Sequence, residues 1–521
     1  MLAPANARAA AIARLDEPWD ILVIGGGVTG AAILFEAARR GLRAVLLERS
    51  DFASGASSRS SKLVHGGLRY LKDGKLALTR ESVREREALL RDAPGLVEPM
   101  HFLMPHYPGS TPSPRTLGLG LALYDLFAGH KTHRWLDATE TMLLAPTIES
   151  SGLLGAHDYL DATTDDARLV LRLIQEARAA GATALNYIDA RELLERDGLT
   201  IGVRATDTIG GGSIEVRARA VINAGGASAD AVRSALGVAA KLRPLRGSHL
   251  ILPDWRLPLA QAIAFAHPRD RRPVFAYPWL GVTLVGTTDV DHVADRGSEP
   301  SISDDETRYL LEALAYQFPR SAIGRGDAIA TFAGVRPVIY SGERDPSKEP
   351  RDRAIWHERG LLTVTGGKLT TFRPMALAAL RAVAERLDPF DLSARPAFER
   401  CELPRAPELS LAQRRRLAGC YGSSAQPLLD SAPPGDRESI DGTSTLWAEL
   451  RWAARNESVE HLDDLLLRRT RLGLVAPQSE RRCSARLRSL CMQELGWDDA
   501  RFERETHAYR ALHAAYYGAP A

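Results

Sequence analysis

Residues 20–48, DILVIGGGVTGAAILFEAARRGLRAVLLE, constrain this chain more than any other stretch. Ile21, Leu22, Val23 and Ile24 form a short continuous apolar run, as a strand buried on both faces requires, and Gly25, Gly27 and Gly30 follow as G-x-G-x-x-G. Those glycines let backbone approach a pyrophosphate closely. The Ala-rich helix predicted through Arg40 turns its N-terminal amides and dipole toward that anion, and Gly41 ends it. Residues 45–47 give a second strand. Glu48 then stands near the spacing at which a carboxylate accepts hydrogen bonds from an adenosine ribose. The unit reads as a dinucleotide site and, alone, leaves NAD and FAD open.

A chain of 521 residues, 45% hydrophobic and 25% charged, has the composition ordinary for a soluble globular protein, and its length leads one to expect two or three domains. Its net charge of +2 gives no global field favouring nucleic acid, despite local basic clusters in the C-terminal part, so no nucleic-acid partner is expected. Cys401, Cys420, Cys483 and Cys491 show no C-x-x-C pair and no Cys/His metal spacing, so no metal site is expected, only thiols in a reducing compartment. Residues 1–17 lack the apolar core of a secretion signal and read as a disordered extension. The longest apolar piece, residues 117–129, is too short to span a bilayer and contains Asp125, so any membrane association is expected to be peripheral.

Residues 50–74 are dense in Ser and Gly, with Ser57, Ser61, Lys62, His65, Arg69 and Tyr70 among them. Hydroxyls and exposed amides donate to phosphate oxygens without bulk, so this loop suits a phosphate-bearing cofactor. Helices are predicted over 76–91 and 117–127 and a strand over 102–105. In DATTDDARLV, Asp165, Asp166 and Arg168 are expected to cap and brace a helix. AVINAGG, residues 220–226, is a buried strand whose closing Ala224, Gly225 and Gly226 fall at the ligand-binding end of a doubly wound sheet.

From Leu242 the pattern turns to short β-rich segments, GSHLILP, AIAFAH, VFAYPW and VTLVGTTDV. They predict an antiparallel sheet covering a substrate, with His249, Tyr277 and Asp289 as pocket candidates. TFAGVRPVIY brings Arg336. TVTGGKLTTFRP brings Gly366, Gly367, Lys368, Thr370 and Thr371 in a further strand, glycine turn and helix start, whose positive end is suited to face a cofactor. Beyond Pro389 the chain reads as helical. Arginine clusters at 414–416, 468–471 and 481–488 read as solvated faces, or as contacts to an acidic membrane surface.

The glycine fingerprint, SSRSSKLVHGGLRYL, TTDDARLV, GSHLILP, GTTDVD, AGVRPV and TGGKLTTFR, in this order over most of residues 20–375, together resemble the flavin-dependent glycerol-3-phosphate dehydrogenases of the respiratory, aerobic type. The resemblance implies an α/β fold: a Rossmann-like FAD-binding domain of glutathione-reductase/D-amino-acid-oxidase type, an antiparallel β-sheet substrate domain and a C-terminal helical domain. The expected division is FAD-binding segments at 18–105, 156–241 and 331–388, a cap segment at 106–155, the substrate sheet at 242–330 and the helical domain at 389–521.

It also implies FAD as cofactor, oxidation of sn-glycerol 3-phosphate at C2 to dihydroxyacetone phosphate, and delivery of electrons to membrane quinone from the inner face of the cell membrane. An anionic membrane surface and a second copy in a homodimer are further candidate partners. Carried over by position, Arg336, Arg351, Arg69, Tyr70 and Lys368 are substrate anchors, since arginine forks suit a phosphate. His249 is the expected base for the C2 hydroxyl, with Lys368 as its rival and Arg336 beside them. Gly25, Gly27, Gly30, Glu48, Ser57, Ser61, Lys62, Gly225, Gly367, Lys368 and Thr370 are the expected cofactor contacts. The competing readings are an oxidase that passes the electrons to oxygen, a non-catalytic flavin-binding protein and an NAD-dependent dehydrogenase. The anaerobic respiratory type, with its cysteine-rich segments, does not match the four isolated cysteines.

Overall fold

The computed structural model describes residues 4–520 except 73, 294–298, 344–348, 350–351 and 394–396. The fingerprint strand Trp19–Ile24 lies at the centre of a parallel sheet, between Ala44–Leu47 and Ser213–Asn223. Thr183–Leu185 and Leu361–Gly366 extend the parallel set outward on either side, and Arg353–Glu358 closes one edge antiparallel. Ile21, Leu22 and Val23 are wholly buried, as a central parallel strand covered on both faces demands, and each such side chain contributes ~1.5–3 kcal/mol. Helices Val28–Ala38, Asp166–Ala179 and Phe372–Val383 pack on one face. The register pairs Ile24 with both Leu47 and Asn223, so the strand ends carrying the glycine turns finish along one edge.

A second sheet, antiparallel except where Ala262–Ala266 meets Val97–His106, stands beside that edge. Leu242–Pro253 pairs with Val282–Gly286 and, over ten residues, with Ala330–Ile339. Val97–His106 pairs over ten residues with Gly155–Thr164. The sheet therefore crosses the expected boundaries: residues 97–105, 156–164 and 331–339, assigned from sequence to cofactor-domain segments, satisfy their backbone hydrogen bonds here.

Two further expectations are corrected. The N-terminal segment forms a helix, Pro4–Ala13, tied down by Arg8, which donates to the Asn186 carbonyl at 2.9 Å and pairs with Asp207 at 2.7 Å. The Arg468–Arg471 cluster is not a solvated face, since all three arginines in it are buried. Arg468 and Arg469 close on Asp51, three residues beyond Glu48, while Arg471 pairs with Asp165 and Asp166. Burial alone would raise the Asp51 carboxyl, but the two guanidinium groups hold it well below the usual carboxylate range. These pairs fasten the C-terminal helices to the cofactor sheet. Asp165 also accepts from the Arg168 amide as the N-cap of Asp166–Ala179, the bracing role its sequence indicates. The four cysteines are free thiols.

Candidate active site

A cavity of about 2370 Å³ runs along the shared strand edge and under the second sheet. Single small-ligand sites occupy ~300–1,000 Å³, so this one has room for an extended cofactor together with a substrate. Its lining includes Gly25, Gly27, Glu48, Ser57 and Gly225 of the first two glycine turns and serine loop, together with Tyr70, Arg336, Gly367, Lys368 and Thr370.

The glycine turn is packed too tightly for side chains. Gly25 has φ +110°, and a Cβ there would sit 2.7 Å from the Ala224 carbonyl oxygen; a Cβ on Gly30 would come within 1.9 Å of the Gly25 carbonyl oxygen. Helix Val28–Ala38 begins at Gly27 with no side-chain cap. The Val28 amide donates to Ser57 Oγ at 2.9 Å, which joins the serine loop to the helix start. Glu48 accepts from the amides of Gly26 at 2.6 Å and Ser50 at 2.9 Å. Burial pushes its carboxyl up against the pull of those two amides. Asn223 accepts from the Gly225 amide at 3.1 Å and donates to the Ala229 carbonyl at 2.9 Å, fixing the second glycine turn against the first.

Lys368 and Arg336 supply positive charge to the same cavity. Lys368 Nζ lies 3.9 Å from the centre of the Tyr70 ring and donates to Ser82 Oγ at 3.1 Å. Burial pulls its amine down to about 7, with Asp161 and Glu81 opposing. Arg336 pairs with Asp289 at 2.8 Å and reaches Thr287 Oγ1 at 3.3 Å, while its guanidinium remains on the cavity wall. Thr370 Oγ1 accepts from the His65 amide and donates to the His65 carbonyl, both at 3.1 Å, so it closes the serine loop onto the turn after Leu361–Gly366.

The other predicted residues are distributed unevenly. His249 is 1% exposed, stacks on Phe332 at 4.5 Å and contacts the cavity-lining Ser61, whose Oγ is 2.9 Å from its Nε2. Its imidazole is kept well below the ordinary range by burial, then by Lys62 and Arg336, and is therefore neutral. Ser61 does line the cavity. Tyr277, a pocket candidate from sequence, is buried and donates to the Ser61 carbonyl at 2.5 Å. Lys62 points away from the cofactor groove: it is wholly buried, 3.2 Å from Asp166, with its ammonium over the Phe332 and Trp279 rings. The Arg69 side chain and Arg351 lie outside the described residues. Ser82, Asp161 and Thr287 were not legible beforehand, because no local motif marks them; each acts through a partner far away in the chain.

Comparison with known proteins places the chain in a family. The family described as FAD dependent oxidoreductase matches residues 20–379, and the C-terminal domain of alpha-glycerophosphate oxidase matches residues 380–502. The aerobic glycerol-3-phosphate dehydrogenase of Staphylococcus haemolyticus is 34% identical over 485 residues, covering 87% of each chain, and that of Staphylococcus aureus strain USA300 is 33% identical over 489 residues with the same coverage. Among solved structures, the glycerol-3-phosphate dehydrogenase of Bacillus halodurans complexed with FAD superposes with a TM-score of 0.78 at 28% identity, covering 98% of each chain. The L-alpha-glycerophosphate oxidase of Mycoplasma pneumoniae, at 18% identity and TM-score 0.57 over 73% of this chain and 97% of its own, shares the fold. The cradle fits FAD on its own terms. It combines a turn stripped of β-carbons, a helix start whose N-cap glycine brings no side chain between the following amides and a pyrophosphate, and a half-buried Glu48 carboxyl for the ribose.

Proposed function

We propose that this chain, which belongs to the FAD-dependent oxidoreductases and, within them, to the aerobic glycerol-3-phosphate dehydrogenases with FAD as cofactor, oxidises sn-glycerol 3-phosphate at C2 to dihydroxyacetone phosphate. The observation that carries the reading is that the cavity holding the dinucleotide cradle is also lined by a guanidinium, Arg336, and by an amine, Lys368, that burial brings down to about 7. A small phosphate dianion needs the first and a carbinol oxidation needs the second.

When bound, FAD supplies the acceptor for the hydride that leaves C2. Gly25, Gly27, Glu48, Ser57, Gly225, Gly367 and Thr370 hold the cofactor, and Arg336 anchors the substrate phosphate with its fork pre-oriented by Asp289 and Thr287. We give the role of base to Lys368 rather than to His249: its neutral amine takes the C2 hydroxyl proton. His249 is buried and neutral, and acts by fixing the Ser61 hydroxyl on the cavity wall. The Tyr70 ring face, its centre 3.9 Å from Nζ, favours the ammonium that forms when Lys368 has taken the C2 hydroxyl proton.

Membrane quinone is the favoured electron acceptor. The cavity continues into an apolar section lined by Phe102, Met104, Leu117, Tyr159 and Phe275, too greasy for a polar three-carbon phosphate and suited to an aromatic head group. Over it lies helix Pro114–Ala128, which buries Leu117, Leu121 and Tyr124 and exposes Leu119 and Leu126 on its outer face, with Arg115, His130 and Lys131 also exposed nearby. Among the described residues no helix is long and apolar enough to cross a membrane, so this amphipathic helix is the proposed peripheral contact with the inner face of the cell membrane.

Anaerobic mixing of the yellow holoprotein with sn-glycerol 3-phosphate is expected to bleach the flavin absorbance, while glycerol, lacking the phosphate, is expected to do so with an efficiency lower by about 100-fold or more. A flavin left oxidised by sn-glycerol 3-phosphate rejects the proposal. Reoxidation that yields stoichiometric peroxide and ignores added quinone assigns the oxidase reaction instead.

A further inference from the structure

The serine loop is fastened from the far end of the chain. Arg59, at its centre, is 6% exposed and donates from Nε at 3.0 Å and from Nη2 at 2.7 Å to the phenol oxygen of Tyr517, with the guanidinium carbon 5.5 Å from the ring centre. Nη2 also pairs with Glu299 at 2.7 Å. Tyr517 is itself held firmly. Its amide donates to the His513 carbonyl at 2.8 Å, and its carbonyl accepts from the Thr331 amide at 2.8 Å. Thr331 Oγ1 donates to the Gly518 carbonyl at 3.0 Å.

Thr331 opens the strand Ala330–Ile339, which carries Arg336 to the cavity wall. Gly334 of that strand lies so close to the loop that a Cβ on it would come within 2.5 Å of the Arg59 carbonyl oxygen. The residues two positions to either side of Arg59 serve the site directly: Ser57 Oγ accepts from the Val28 amide at the cofactor turn, and Ser61 Oγ contacts His249. Loop and substrate strand thus meet at one residue, the loop at the Tyr517 phenol and the strand at its backbone carbonyl. Tyr517 lies beyond residue 502, where the matched C-terminal domain stops.

We propose that Tyr517 is a positioning residue for the cofactor: by holding Arg59 it keeps Ser57 and Ser61 in their cofactor-ready places before FAD arrives. A short Ser/Gly loop otherwise loses conformational freedom when the ligand binds, and every residue ordered in advance is one the cofactor need not order. Hydrogen bonds to a buried guanidinium are the stronger kind, so one phenol can hold the centre of the loop. The inference needs FAD in the cradle but not glycerol 3-phosphate in the pocket, so its failure is separable from failure of the substrate assignment.

The test is Tyr517→Phe in the full-length holoenzyme. It keeps the ring and the backbone bonds to Thr331 and His513 and removes only the phenol oxygen. Release of FAD on dilution, read as the rise in free-flavin fluorescence, is expected to be about tenfold faster, with a changed visible circular dichroism of the bound flavin. In saturating FAD the melting temperature is expected to fall by less than about 3 °C. Arg59→Lys, made from the loop side, is expected to speed release similarly. The double variant is expected to release FAD no faster than the worse single one, because both remove the same contact. Release within twofold of wild type, a large drop in melting temperature with saturating FAD, or losses that add in the double variant each overturn the proposal.

Discussion

Substituting Lys368 by Met tests the chemistry most directly, because the structure gives both a size and a sign. Lys368 faces the cavity with its Nζ against the Tyr70 ring and Ser82 Oγ, and burial brings its amine down to about 7. About half of it is therefore neutral at pH 7 and about a tenth at pH 6, so a rate that needs the neutral amine falls about tenfold per pH unit below that point. The assay is anaerobic stopped-flow reduction of the flavin at low sn-glycerol 3-phosphate, where the pH profile reports the free enzyme. Wild type is expected to rise with pH through about 7. Removing a general base is expected to slow reduction by about 10²–10⁴-fold and to abolish that inflection. The weaker inflection of the substrate phosphate, near about 6, is expected to remain. A cation that merely stabilised developing negative charge would give the opposite slope, with activity lost as pH rises through 7. Reduction by Lys368→Met within threefold of wild type, or a wild-type rate that falls as the amine deprotonates, refutes the assignment. Linkage gives an independent sign: because the folded amine is depressed, the unfolded chain binds more protons between about 7 and 10.4, and the contribution of Lys368 to stability rises with pH across that window.

Arg336→Ala is expected to weaken substrate binding by about 10–100-fold while leaving flavin reduction at saturation within about threefold, since charge-assisted bonds are worth ~1.5–3 kcal/mol; titration of the oxidised enzyme measures it, and Asp289 keeps its pair with Arg272 at 3.2 Å, so the fold is expected to persist. Gly30→Ala forces a Cβ to within 1.9 Å of the Gly25 carbonyl oxygen and is expected to abolish FAD retention, read from the flavin-to-protein absorbance ratio. Leu119→Glu with Leu126→Glu is expected to release the protein from anionic vesicles in flotation while leaving reduction by substrate unchanged, because both side chains are exposed on the cap helix. His461, raised to about 9 by its hydrogen bond to Glu505, contributes stability that is complete below its unfolded value of about 6.5 and is lost as pH rises through 9. The melting temperature of wild type relative to His461→Ala is therefore expected to narrow over that interval.

The features legible from sequence were those whose physics is local. An apolar run, three glycines at fixed spacing and an acid at the next strand end specify strand, turn, helix and ribose site within about thirty residues, because sterics and helix amides act over that range. The amphipathic period after Asp165 likewise predicted both a helix and its cap. What sequence left undetermined depends on partners hundreds of positions away. An arginine run looks the same whether it faces water or Asp51, and Arg468 meets Asp51 across 417 residues of chain. The ordinary proton affinity of histidine favoured His249 as base and that of lysine disfavoured Lys368. Tertiary packing buries His249 against Ser61 and desolvates the cavity-facing amine of Lys368 to near neutrality, and no local pattern encodes either environment. Tyr517 carries no motif at all; only the fold brings its phenol to Arg59, 458 residues earlier in the chain. Sequence determined the strand, glycine turn and helix of the dinucleotide cradle, because backbone geometry is written in neighbouring residues. Tertiary structure decided the environment of each candidate side chain, because proton affinity and charge pairing are set by whatever the fold packs around them.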